Sequence, residues 1–220
     1  MWYGRDLAAG RLTGGVQMSG SRNQGLRGLS AADSARVAVF TALIAVLGVP
    51  GSFALFGNAV PVTLQSMGAL LAGAILGAWR GALSMVLLLA LVAVGLPLLA
   101  GGRGGLGVFA GPSVGYLIGF VAAAWVVGWI MERMRRGAGL PVALVACLSG
   151  SAVVLLIGVP VQAAVTGLPL LETIALSTVF VPGDIAKAVF AAVVVAGVQR
   201  AYPEASPAVR RARLSGTRGA

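Results

Sequence analysis

The sequence predicts an all-α integral membrane protein, a bundle of six transmembrane helices with both termini in the cytoplasm. Three observations carry that prediction. The 220 residues are 58% hydrophobic and only 10% charged, with a mean hydropathy of +0.95, whereas soluble domains carry about 25% charged residues. Six apolar segments follow one another, punctuated by glycine, proline and arginine. Fourteen of the sixteen basic residues fall at the termini or in the connections between segments 2–3 and 4–5. Short cytoplasmic connections collect Lys and Arg in this way. Arg103 alone lies on the opposite side, and Lys187 lies within a span.

Composition also excludes. The net charge of +10 forms no binding face for nucleic acid, because it encodes topology instead. There is no histidine, and the single cysteine, Cys147, sits inside an apolar run. A disulfide within the chain and the His/Cys clusters of metal centres are therefore ruled out, and Cys147 reads as a packing residue. No cofactor is implied. Residues 1–33, rich in Gly, Ser and Arg without an apolar core, read as a disordered cytoplasmic leader rather than a signal peptide. Residues 34–201 form the membrane domain and 202–220 a basic cytoplasmic tail.

Segment one runs from Ala35 to Val49, with Asp33 as its expected N-cap. Ser52–Phe56 offers an extension beyond Pro50-Gly51. Ala38 and Ala42, four residues apart, let another helix approach closely. Val60-Pro-Val-Thr-Leu-Gln65 opens segment two, which continues to Gly77 with Ala69, Gly73 and Gly77 as a small-residue stripe. Gln65 needs a hydrogen-bonding partner there. Trp79-Arg80 marks an interface, and Gly81 to Val94 forms segment three. The glycine-dense connection from Gly95 to Ser113 follows; it reads as an outward-facing lid or as a flexible linker. It holds no G-x-x-x-x-G-K-[ST], so the chain has no phosphate loop of that type for ATP hydrolysis. Segment four, Pro112 to Met131, repeats small residues at Gly111, Gly115 and Gly119, with Trp125 and Trp129 as an inner aromatic belt. Segment five spans Pro141 to Val165. The connection from Thr166 to Thr178 reads as partly helical, and segment six runs from Pro182 to Arg200.

The polar residues of segment six are the centre of the functional reading. In Phe180-Val-Pro-Gly-Asp184-Ile-Ala-Lys187, the acid and the only lysine stand three apart and share one helix face. Pro182-Gly183 reads as the helix start, which puts Asp184 in the first turn. A charge near the bilayer centre costs at least ~2.5 kcal/mol and so faces a partner, a cavity or a solute. A structural ion pair and a solute-binding pair both satisfy that. Asp184 lies at the outer end and Lys187 only ~4.5 Å deeper at 1.5 Å per residue. Gln65, Ser113 and Tyr116 fall at the same level. That convergence favours a pocket open to the outside.

Taken together and in order, Val60-Pro-Val-Thr-Leu-Gln65, Gly77-Ala-Trp-Arg-Gly81, Gly95-Leu-Pro97, Gly111-Pro-Ser-Val-Gly-Tyr116, Gly119-Phe120 and Phe180–Lys187 resemble the BioY family, over about Ala35 to Ala201. That family supplies the substrate-binding (S) components of energy-coupling factor (ECF) biotin transporters. The resemblance implies a multi-pass protein of the bacterial cytoplasmic membrane that binds biotin from outside, surrounded by membrane lipids. It further implies that Ala38-x-x-x-Ala42 docks on an ECF transmembrane coupling subunit, with ATP hydrolysed by separate ATPase subunits. Asp184 and Lys187 match the family's acid–lysine pair. Ser113 replaces a commoner threonine and keeps the hydroxyl. Arg103 is the candidate for a second basic ligand to the carboxylate. The resemblance implies no enzyme activity. An S component for another vitamin and an ion-coupled secondary transporter, with Asp184 and Lys187 as a proton relay, are the alternatives; the absence of an internal repeat weighs against the last.

Overall fold

The computed structural model describes residues 30–49, 60, 62–133, 139–203, 206, 207 and 209. The leader up to residue 29, the Ser52–Phe56 extension, Arg135, Arg136 and the arginines beyond 209 lie outside the described residues.

Seven α-helices carry the described residues: α1 (Ala31–Val46), α2 (Gln65–Leu76), α3 (Ala78–Ala93), α4 (Val114–Arg133), α5 (Leu140–Thr166), α6 (Leu170–Ser177) and α7 (Phe180–Ala201). A short 3-10 turn, Leu106–Phe109, lies in the glycine-rich connection, whose one ladder contact is an isolated bridge between Leu99 and Arg103. No strand occurs among the described residues. Three helices, α4, α5 and α7, are long and apolar enough to cross a membrane, and α2 and α3 are shorter apolar helices. The partly helical connection expected between segments five and six is α6.

Two expected helix starts are displaced. Ser30, not Asp33, caps α1, its Oγ accepting from Asp33 N–H at 3.1 Å. Asp33 is third in the helix and binds Arg80 and Arg36 instead. Likewise α7 begins at Phe180 rather than Pro182, so Asp184 is not in the first turn. The first four N–H groups of a helix have no intrahelical acceptor, which makes a proline tolerable at the third position as well as the first.

Segments two and three are separated by one residue. Gly77, at φ +89°, ends α2 and starts α3, a conformation an L side chain avoids. Glu132 Oε1 accepts from Ala78 N–H at 2.9 Å and caps the new helix from α4. The two helices then lie backbone to backbone where Gly81 meets Gly73. The α4 helix packs on α2, α3 and α5, and α1 packs chiefly on α2 and α3. Gly73 lies under the Ala124 carbonyl, Gly128 against Ala78, and Gly115 and Gly119 against α5. Small residues admit this close approach, which in lipid stands in for a hydrophobic driving force.

The core has one cluster around Met85, Leu88, Tyr116 and Phe120 and a second around Leu70, Val127, Cys147 and Val195. Cys147 is buried, as expected of a packing residue. Large apolar side chains also cover the outside, among them Ile118, Val145, Leu156, Phe190 and Val193, a surface suited to hydrocarbon rather than water. Towards the C-terminal end of α4, Trp125 and Trp129 stack at 6.4 Å and the Arg133 guanidinium lies 4.1 Å over Trp129. Ser206 and Pro207 are buried, and Pro207 lies near Gly77. This part of the tail packs against the bundle.

Candidate functional site

The first turns of α7 place Phe180 and Asp184 on one side and, three residues on, Lys187 on the same side. Lys187 Nζ lies 2.6 Å from Asp184 Oδ1. It also donates to Ser66 Oγ at 2.8 Å and to the Thr63 carbonyl at 3.2 Å, both at the start of α2. An ammonium has three N–H donors, and these contacts use all three. The two side chains are 11% and 13% exposed. Asp184 keeps acceptor capacity beyond its lysine contact.

These charges line one end of a cavity of about 40 Å³. Val60, Val62, Tyr116, Phe120, Leu155 and Phe180 form most of its remaining wall. It has room for only a few water-sized groups, so a ligand of vitamin size requires the walls to part. The Tyr116 ring stands edge-on to Phe180 at 5.7 Å, and its hydroxyl donates to Gln162 Oε1 at 2.7 Å. Ser177 of α6 lies 3.4 Å from that hydroxyl. Gly158 of α5 lies flat beneath the ring, where a Cβ would strike it.

A larger groove, about 360 Å³, runs between α5, α6 and the start of α7, lined by Leu156, Val159, Ile174 and Val181 among others. No charged residue lines it. A site that orients a polar solute needs convergent polar groups, so the smaller cavity is the candidate.

The sequence-level site residues divide into two groups. Asp184, Lys187 and Tyr116 meet in the cavity. Gln65, Ser113 and Arg103 do not line it. Gln65, 3% exposed, donates through Nε2 to the carbonyls of Leu98 (2.8 Å) and Ile44 (3.4 Å), and its Oε1 accepts from Ala100 N–H at 3.0 Å. Arg103 Nε donates to the Ala100 carbonyl at 3.1 Å and Nη1 to Ser113 Oγ at 3.4 Å. Among the described residues no carboxylate pairs with Arg103. Sequence reasoning did not single out Thr63, Ser66, Gln162, Ser177 or Gly158 for the site. Thr63 lies in the motif that held Gln65 and Ser66 follows it directly, so that stretch carried a signal for both; Gly158 carried none. Ala38 and Ala42 are exposed on α1.

Residues 19–204 match the BioY family. The chain belongs to that family. Among its BioY relatives, the "Biotin transporter BioY" of Rhodobacter capsulatus is 43% identical over 77% of this chain and 94% of that protein. The "Probable biotin transporter BioY" of Bacillus subtilis is 42% identical over 73% and 86%. A crystal structure of the S-component for biotin from an ECF-type ABC transporter is similar with a TM-score of 0.63 and 30% identity, covering 80% of this chain and 95% of that one.

Proposed function

We propose that this chain is the biotin-binding S component of an ECF-type transporter in the bacterial cytoplasmic membrane. In this reading α1 to α5 and α7 are six spans, both termini are cytoplasmic, and the site opens outward. The observation that carries it is the Asp184–Lys187 pair set into an apolar cavity with one acid acceptor still unspent. Biotin has two ureido N–H donors and a carbonyl acceptor, an apolar thiophane ring and chain, and one carboxylate. Asp184 accepts from the ureido N–H groups in charge-assisted bonds. Lys187 pairs with Asp184 and exchanges Ser66 or Thr63 for the ureido oxygen. Tyr116, Phe120 and Phe180 cover the ring. The pair is neutral overall, so it suits the uncharged head; Arg103, with no acid of its own, suits the carboxylate, with Ser113 beside it.

The exposed Ala38 and Ala42 support docking of α1 on a transmembrane coupling subunit, with separate ATPase subunits supplying energy. Biotin binding to the purified protein, with riboflavin and thiamin as controls, tests the assignment. Biotin should bind at sub-micromolar concentration and the controls should not; no binding at micromolar biotin rejects the reading. Ala38→Trp should block assembly with the coupling subunit and leave biotin affinity unchanged, as co-purification and titration would report.

A further inference from the structure

The start of α2 serves both cations of the outer side. On one face, Thr63 and Ser66 accept from Lys187. Between them in sequence, Gln65 turns away from the cavity and reads the backbone of the glycine-rich connection at two points, Leu98 C=O and Ala100 N–H. The second contact continues: Ala100 N–H donates to Gln65 Oε1, and the carbonyl of the same residue accepts from Arg103 Nε. Gln65 and Arg103 thus hold Ala100 from its two adjoining peptide groups, so fixing that residue fixes the carbonyl that seats the guanidinium, and Ser113 at the start of α4 holds its Nη1. Every one of these groups is buried or half-buried. An amide that bonds two backbone groups of one segment defines where that segment lies. The Gln65 amide has no donor left for a ligand, since both N–H bonds are used.

The geometry points to Gln65 as a positioning residue that aims Arg103 at the ligand's carboxylate, rather than a residue that touches the ligand. This rests on the reading of Arg103 as the carboxylate's partner. A side chain that acts through Arg103 affects only what Arg103 recognises, so the role is visible in ligand selectivity.

The test measures dissociation constants for biotin and for its uncharged carboxamide in the full-length protein. Four forms are compared: wild type, Arg103→Ala, Gln65→Met and the double variant. Arg103→Ala and Gln65→Met should each lower the preference for biotin over the amide by about tenfold, with amide affinity within about threefold of wild type. The double variant should lose no more than either single one, the signature of groups acting in series. Equal loss of both ligands in Gln65→Met, an intact preference, or losses that add in the double variant would overturn the positioning role. If Arg103→Ala leaves the preference intact, the reading of Arg103 fails and the inference goes with it. Should Gln65→Met not fold, Gln65→Glu carries the test, since it keeps the acceptor for Ala100. Its preference should stay within about threefold of wild type, and a drop as large as that of Arg103→Ala would refute the role.

Discussion

Asp33 and Asp184 each pair with a base, and the two pairings differ in what each leaves unsatisfied. Where α1 meets α3, Asp33 accepts from Arg80 Nε at 2.8 Å and Nη2 at 3.0 Å, and from Arg36 at 3.1 Å. Both carboxylate oxygens are spent on tying α1 to α3. On α7, Asp184 meets Lys187 through one oxygen beside a cavity. Contact length does not separate them, since 2.6 and 2.8 Å are alike. A pair that uses up its capacity holds structure, and a pair with capacity left beside empty space is ready for a ligand.

Asp184→Asn probes that contrast hardest. The charge-assisted bonds to the ureido group would weaken, and biotin affinity should fall about 100-fold, since a hydrogen bond to a charged group contributes about 1.5–3 kcal/mol. Asp33→Asn, tested beside it, should leave affinity within about twofold. Calorimetric titration of both variants compares them directly, and equal losses would erase the distinction drawn here.

Gly158→Ala sharpens the cavity side of the contrast. The added Cβ strikes the Tyr116 ring, and overpacking of this kind costs about 1–3 kcal/mol. The ring has to shift within the cavity wall, so affinity should drop about tenfold. Gly73→Ala is the matched control: its Cβ meets the Ala124 backbone away from the cavity, so melting temperature should fall with little change in affinity.

The smallest effect belongs to Asp33. Partial burial pushes its carboxyl up, but the hydrogen bonds and charge of Arg80, helped by Ser30 and Arg36, outweigh it and hold the pKa below the usual 3.8. A depressed carboxylate stabilises the folded state fully above its unfolded value and loses that contribution as pH falls through the lower folded one. Stability should therefore decline below about pH 4 less steeply in Asp33→Asn than in wild type, by at most about 1 kcal/mol for a pair partly open to solvent. Melting curves between pH 2 and 6 would show it.

Hydropathy alone located the helices, because each apolar run is broken by residues that cannot continue it. It could not show that one glycine suffices between α2 and α3, since that depends on Glu132 arriving from α4 to cap Ala78. Spacing on a single helix put Asp184 beside Lys187, and local geometry decided that contact. Gln65 was grouped with them by depth, yet depth does not reveal direction: its amide turns to the Gly95–Ser113 connection while its neighbours Thr63 and Ser66 face the lysine. The role of Gly158 depends on the tyrosine crossing above it, forty-two positions earlier in the chain, and nothing local marks it.

Because acid and lysine ride on one turn of α7, no tilt of that helix changes the distance between them. What such a movement alters is the grip on α2, where Thr63 and Ser66 hold the ammonium from a different part of the chain. A ligand that took over the two ammonium N–H bonds now given to those acceptors would also weaken the hold of α7 on α2, so that capture and loosening of the bundle would be a single event.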